Sequence, residues 1–254
     1  MNKVRVFGVD MSLNGSGVSC VELDKDTGVY EVVAVKAITS TKKVVDSEFG
    51  DYFDFYKIAD SKSYTERMVR LLYMRDWIHS FIRNHMVDID RTFVGIEDYA
   101  FAKQSNRVSE VHELGGLVKA ELFTWNIPFK LYSPTLIKSV CGIKNANPKI
   151  RKRKKSNDMK EMSIKSVQEH FSLDLDLALD YNKDKRYGYD LADSLLVALT
   201  TMSDLMLHEG IHIGKTSSLM KTDKYPDGYY KEQFTRRRQG TWTVSGEMVK
   251  HSKT

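Results

Sequence analysis

"VRVFGVDMSLNGSGVSCVELDKDTGVYEVVAVKAI", residues 4 to 38, is the stretch on which the fold turns. Valines at 4, 6 and 9 begin a strand that runs into the turn-forming "MSLNGSG", while "VSCVEL" (18–23) and "YEVVAVKAI" (30–38) read as two further strands divided by "DKDTG". That is a three-strand antiparallel meander. From Ser63 to His85 the spacing becomes helical. Met68, Leu71, Leu72, Met74, Trp77, Ile78, Phe81 and Ile82 recur at three and four, and Ser63 and Glu66 stand as a capping box. Next come "TFVGIE" (92–97) as a buried strand, "NRVSEVHELGGLVKAELFTW" (106–125) as a helix and "PFKLY" (128–132) as a strand. "SPTLIKSV" (133–140) is a helix opened by Ser133 with Pro134 at its first position. Alternating strand and helix in this half implies parallel strands with helices packed on them. The expected class is α/β: a mixed five-stranded sheet, antiparallel meander then parallel strands, flanked by helices.

With 254 residues, 41% hydrophobic and 29% charged, the chain can bury a sizeable core. One domain is expected over residues 1–208, interrupted by an insertion near 40–62 and a basic loop at 144–156. Residues 209–254 read as a basic, irregular extension. No segment resembles a signal peptide or approaches the roughly 20 apolar residues of a membrane span, so a soluble, cytoplasmic protein is expected. Only Cys20 and Cys141 occur, far apart and without a CxxC partner, so neither a disulfide framework nor a cysteine zinc site is supported. A net charge of +5 permits nucleic-acid binding without establishing it. Its distribution says more: "KIRKRKK" (149–155) gathers Lys149, Arg151, Lys152, Arg153, Lys154 and Lys155 between the helix of Lys138 and that of Lys160. Charge runs are usually solvated faces. Beside a phosphate-processing site this one would contact DNA phosphates, positioning the duplex without reading its sequence.

The apolar helix "RYGYDLADSLLVALTTM" (186–202) carries two acids, Asp190 and Asp193, read as lying in its first turn. Residues three apart share a helix face. Acids at a helix start are also explained by the macrodipole alone. Asp10 follows the apolar "VFGV" and Glu97 follows "VGI", so both sit at strand ends, the rim where ligand sites of open α/β sheets gather. Singly, each is explained by a solvated turn or a cap. Together, four carboxylates with no HExxH pair would make an oxygen-rich site for Mg²⁺ or Mn²⁺. Two such ions about 4 Å apart activate a water and stabilise the leaving oxygen in phosphodiester hydrolysis. Metal binding also gives mutually repelling carboxylates a reason to coexist.

"GVDMSLNGSG" resembles the first motif of the RuvC-type Holliday junction resolvases, and "VGIEDYAFAKQSN" their second. "VHELGGLVKAEL", "LYSPTLIKSVCG" and "YDLADSLLVALT" are similar to the segments that follow in that family, in the same order across residues 3–205. The resemblance implies an RNase H-like fold, a homodimer, and an endonuclease dependent on Mg²⁺ or Mn²⁺, with two ions per site, that nicks branched DNA symmetrically. By position, Asp10, Glu97, Asp190 and Asp193 would be the metal-binding and catalytic carboxylates. Lys160 would be the active-site lysine that precedes a helix, and Lys138 a second such lysine. Where the family has one aromatic after its Glu, Tyr99 and Phe101 flank Ala100. Either ring would stack on an unpaired junction base, worth about 1–3 kcal/mol, or fill the core. The insertion, basic loop and tail resemble phage-encoded members, for which the location is the host cytoplasm and a broader choice of branched DNA is expected.

Two other classes compete. Actin-like and sugar-kinase ATPases also open with an Asp before a Gly/Ser turn, but need a second phosphate loop and an adenosine motif. A non-catalytic branched-DNA-binding module would have no use for all four acids.

Overall fold

β1 (Lys3–Asp10), β2 (Gly17–Asp24) and β3 (Tyr30–Thr39) pair antiparallel as the sequence predicts. This is a computed structural model that describes residues 2–13, 15–39, 50–56, 63–98, 106–143, 155–173, 175, 186–207, 241–244 and 247–250. α1 (Tyr64–His85) begins on the expected capping box, with Ser63 and Glu66 each bonding the other's backbone N–H. It is followed by β5 (Thr92–Glu97), α2 (Asn106–Thr124), β6 (Phe129–Tyr132) and α3 (Pro134–Val140), the last capped by Ser133 with Pro134 behind it. β5 runs parallel to both β1 and β6. α4 (Lys155–Phe171) and α5 (Arg186–Leu207) complete the main body.

The sheet has six strands rather than five, with β4 (Phe53–Phe55) at one edge and the order β4-β3-β2-β1-β5-β6. This sixth strand is parallel to β3 and inside the segment read as an insertion. Three residues are too few to show a period-two pattern, and only Phe53 is buried. Its neighbours anchor it: Asp54 accepts from Lys36 Nζ at 2.9 Å and from Trp77 Nε1 at 2.7 Å, and Tyr56 stacks on Tyr73 at 4.0 Å between centroids. Residues 241–250, expected to be irregular, hold an antiparallel pair, β7 (Thr241–Val244) and β8 (Glu247–Lys250).

Strand parity divides the core into two layers. Val4 and Val6 of β1 pack with α5, while Phe7 and Val9 face the other way, onto the layer that holds α1 and α2. β3 keeps the same division despite an extra residue. Val21 pairs Val32 and Cys20 pairs Ala34, leaving Val33 as a bulge. Tyr30 and Val32 before it, and Val35 and Ala37 after it, therefore all face the α5 layer.

α5 lies against the middle of the sheet, and very small residues permit it. A Cβ on Gly8 would stand 1.9 Å from the Ser194 carbonyl oxygen, and one on Gly17 would stand 1.9 Å from that of Asp190. No side chain fits there. The polar groups that α5 buries against the sheet are satisfied: Ser194, Thr200, Thr201 and Ser203 each donate to a carbonyl of their own helix at 2.8 Å, and Asp204 accepts from Lys130 Nζ at 2.5 Å and from the Tyr132 hydroxyl at 2.9 Å. No described helix is long and apolar enough to cross a membrane.

Candidate active site

The parallel register of β1 and β5 builds the first half of the site. Gly8 pairs Gly95 and Val9 pairs Ile96, so Asp10 and Glu97 follow at the same level of adjacent strands. Val9 and Ile96 point into the α1/α2 layer. Their successors must point to the opposite face, toward α5. There α5 presents Asp190 and Asp193, with the Asp190 backbone pressed against Gly17, the register partner of Asp10.

α5 begins earlier than the apolar pattern alone indicates. Asp190 and Asp193 are its fifth and eighth residues, not members of the first turn. The macrodipole acts within the first turn, so helix capping does not account for them. Their i, i+3 spacing does put both on the face that meets Asp10 and Glu97.

The four acids bear on one another electrostatically. Burial, then Glu97, Asp193 and Asp190 in that order, hold the Asp10 carboxyl well above the usual range, and Asp10 is hydrogen-bonded to Glu97. Burial and then Asp193 raise Glu97 to about 7, against partial relief from Lys138. Burial and then Asp193 push Asp190 well up, and burial raises Asp193. The Asp10–Glu97 bond requires a shared proton, carried by Asp10. Among the described residues no three His, Cys, Asp or Glu close into a chelate. The donors are nonetheless all carboxylate oxygens, each on a half-buried residue at the rim and each raised above its ordinary value. That set fits a hard divalent cation, which would replace the proton.

Two lysines bracket the acids. Lys138, in the last turn of α3, faces Glu97 and Asp193. Lys160 faces Asp190 and Asp193, and lies inside α4 rather than before it, because that helix already begins at Lys155. The start of α4 also takes Lys155 out of the expected basic loop. Tyr99, Phe101, Lys149, Arg151, Lys152, Arg153 and Lys154 lie outside the described residues.

The sequence reading missed Ser163 and Tyr189. Ser163 is buried and donates a hydrogen bond to Asp193. Tyr189 is buried beside Asp190, with Lys160 Nζ 4.5 Å from its ring centroid. Helical spacing was the available signal: Ser163 stands three residues after Lys160, and Tyr189 four before Asp193. A cleft of about 310 Å³ lined by Lys3, Glu22, Asp24, Tyr30 and Glu31 sits at the other end of the sheet. It has no part in this site.

Solved structures share the fold of this chain. Thermus thermophilus RuvC in complex with Holliday junction substrate matches at 15% identity and a TM-score of 0.51, covering 80% of this chain and 96% of that one. The Thermus thermophilus RuvC structure itself matches at 16% identity and 0.50, covering 83% and 99%. The fold is that of RuvC. At these identities the likeness is one of fold, extending over nearly the whole of the bacterial protein. No protein-family model and no curated protein sequence matches the chain. On that fold, Asp10, Glu97, Asp190 and Asp193 lie where β1, β5 and α5 meet.

Proposed function

We propose that the protein is a divalent-cation-dependent endonuclease that resolves Holliday junctions or other branched DNA by paired, symmetric nicks. The observation that carries this reading is the meeting of Asp10, Glu97, Asp190 and Asp193 from three separate elements at one end of the sheet, each with its carboxyl raised by burial. Perturbed acids gathered at a strand-end rim mark a functional site more often than a structural one. The RuvC fold supports the choice of substrate.

In this reading Asp10, Glu97, Asp190 and Asp193 would hold Mg²⁺ or Mn²⁺, two ions per site, whose chemistry when bound would be to activate a water and stabilise a leaving oxygen. The chain's own residues do the rest. Asp10 and Glu97, fixed by strand register, set one side of the site, and Asp190 and Asp193, fixed by the packing of α5 on glycine, set the other. Ser163 orients the Asp193 carboxylate through its hydrogen bond. Lys138 and Lys160 offset the negative charge that would otherwise repel a phosphate, and are placed to meet charge developing on it. Lys149 to Lys155 would grip phosphates outside the cut, and Tyr99 or Phe101 an unpaired base.

A two-fold enzyme suits a two-fold junction, so the active form is a homodimer. Exposed Val69 on α1 favours a partner there, beside Tyr73, which is partly exposed and stacked on Tyr56. Trp77 does not, since its indole is engaged by Asp54. The test is a synthetic four-way junction incubated with the protein and Mg²⁺. The parent nicks two strands at symmetric positions and Asp10→Asn nicks neither. ATP hydrolysis without DNA cleavage, or junction binding without Mg²⁺-dependent cleavage by the parent, refutes the reading.

A further inference from the structure

The Lys160 ammonium feels two carboxylates, Asp190 and Asp193, yet forms no salt bridge with a described residue. A lysine is a point charge on a flexible four-carbon stem. Left to itself beside two acids it would fold onto one of them. Its contact is instead with the face of Tyr189, 4.5 Å from the ring centroid, and that ring is only 4% exposed and fixed in the core.

We propose that Tyr189 is a positioning residue whose ring face holds the Lys160 ammonium off the carboxylates and aims it into the site. The inference rests on the nuclease reading above and deepens it.

α4 meets α5 at two points on one face of each helix. Lys160 and Ser163 are three apart on α4; Tyr189 and Asp193 are four apart on α5. Lys160 rests on Tyr189 while Ser163 bonds Asp193. Residues at these spacings are face neighbours, so the two contacts together fix the sliding register of one helix on the other. A third contact, Ser166 Oγ donating to the Cys141 carbonyl at 2.9 Å, ties the same face of α4 to the end of α3, the helix of Lys138. The orientation of Lys160 is therefore set by packing rather than by its own charge. An electrostatic group contributes most to a reaction when it needs no reorganisation. A ring that attracts a cation without accepting its proton or pairing its charge meets that requirement.

The role belongs to the π face and not to the hydroxyl. Tyr189→Phe keeps it, whereas Tyr189→Leu and Tyr189→Met, which have no ring, remove it.

Two measurements test this. With lysine-selective labelling of metal-free protein, and Lys160→Met to assign the signal, the Lys160 ε-CH₂ protons resonate upfield of other lysines in the parent and in Tyr189→Phe. In Tyr189→Leu or Tyr189→Met they return to the position of a free lysine. Single-turnover cleavage of a four-way junction then falls roughly tenfold or more in Tyr189→Leu and Tyr189→Met and stays within about threefold of the parent in Tyr189→Phe. Junction affinity, measured in Ca²⁺, is unchanged in all of them. In a Lys160→Met background the Tyr189 substitutions cost nothing further, because the ring acts only through the lysine. Unshifted ε-CH₂ protons in the parent, equal losses in Tyr189→Phe and Tyr189→Leu, or additive losses in the double variants overturn the proposal. A parent that shows the upfield signal but cuts no DNA instead overturns the nuclease reading while leaving the ring–lysine contact in place.

Discussion

Glu97→Gln should make the metal-free protein more stable while destroying its cleavage. Glu97 has an ordinary value of 4.5 and is raised to about 7 by burial and then by Asp193. A carboxyl raised on folding favours the native state when protonated. That contribution is whole below 4.5 and is lost as the pH climbs through 7. At 1.36 kcal/mol per pH unit, ionising Glu97 costs the fold ~3 kcal/mol at pH 8. Asp10, Asp190 and Asp193 are raised as well, so they add losses of the same sign. Glutamine keeps the shape, can donate to Asp10 and carries no charge. Urea unfolding in EDTA at pH 8 should show Glu97→Gln more stable than the parent by ~1–3 kcal/mol with an unchanged denaturant slope, and the difference should vanish near pH 4. Adding Mg²⁺ should stabilise the parent more than the variant, since a ligand that binds only the native state adds its binding energy to the fold. A Glu97→Gln protein that is no more stable at pH 8, or an advantage that survives acidification, would refute the view that these acids are held together against their own repulsion.

The other predictions concern packing and DNA. Gly17→Ala, whose Cβ would stand 1.9 Å from the Asp190 carbonyl, should cost ~3 kcal/mol or more in urea unfolding. Gly116→Ala should instead stabilise by ~0.5–1 kcal/mol, because nothing lies near that position on α2 and alanine is the better helix former. Replacing Arg151, Lys152, Arg153 and Lys154 by Ser should weaken junction binding and flatten its dependence on salt. An unchanged slope of log affinity against log salt would remove that loop from the DNA interface.

Most of the sheet was legible because its residues obey simple periods. "TFVGIE" is a strand of the length it appears to be, and Ser63 with Glu66 marks the start of α1 at the residue where the helix begins. β4 was not legible, since its place comes from Asp54 meeting Lys36 and Trp77, contacts far apart in sequence. Asp10 and Glu97 could be read as strand-end acids, but that they stand side by side follows from a parallel register no local pattern encodes. The acids of α5 were read as a possible cap because Arg186 to Tyr189 carry little apolar signal; the helix that includes them moves both acids out of the first turn. Ser163 and Tyr189 went unread because a serine and a tyrosine announce no chemistry until α4 is laid on α5.

Paired nicking is tested most directly on a supercoiled plasmid bearing an extruded cruciform, with Mg²⁺ and protein in excess. Two nicks made across the junction within one binding event convert the plasmid to a linear form without accumulation of nicked circles, and Asp10→Asn, Asp190→Asn and Asp193→Asn each leave it supercoiled. Cleavage by the parent that needs no divalent cation, products that remain nicked circles, or linear product from any of the three variants would contradict the account.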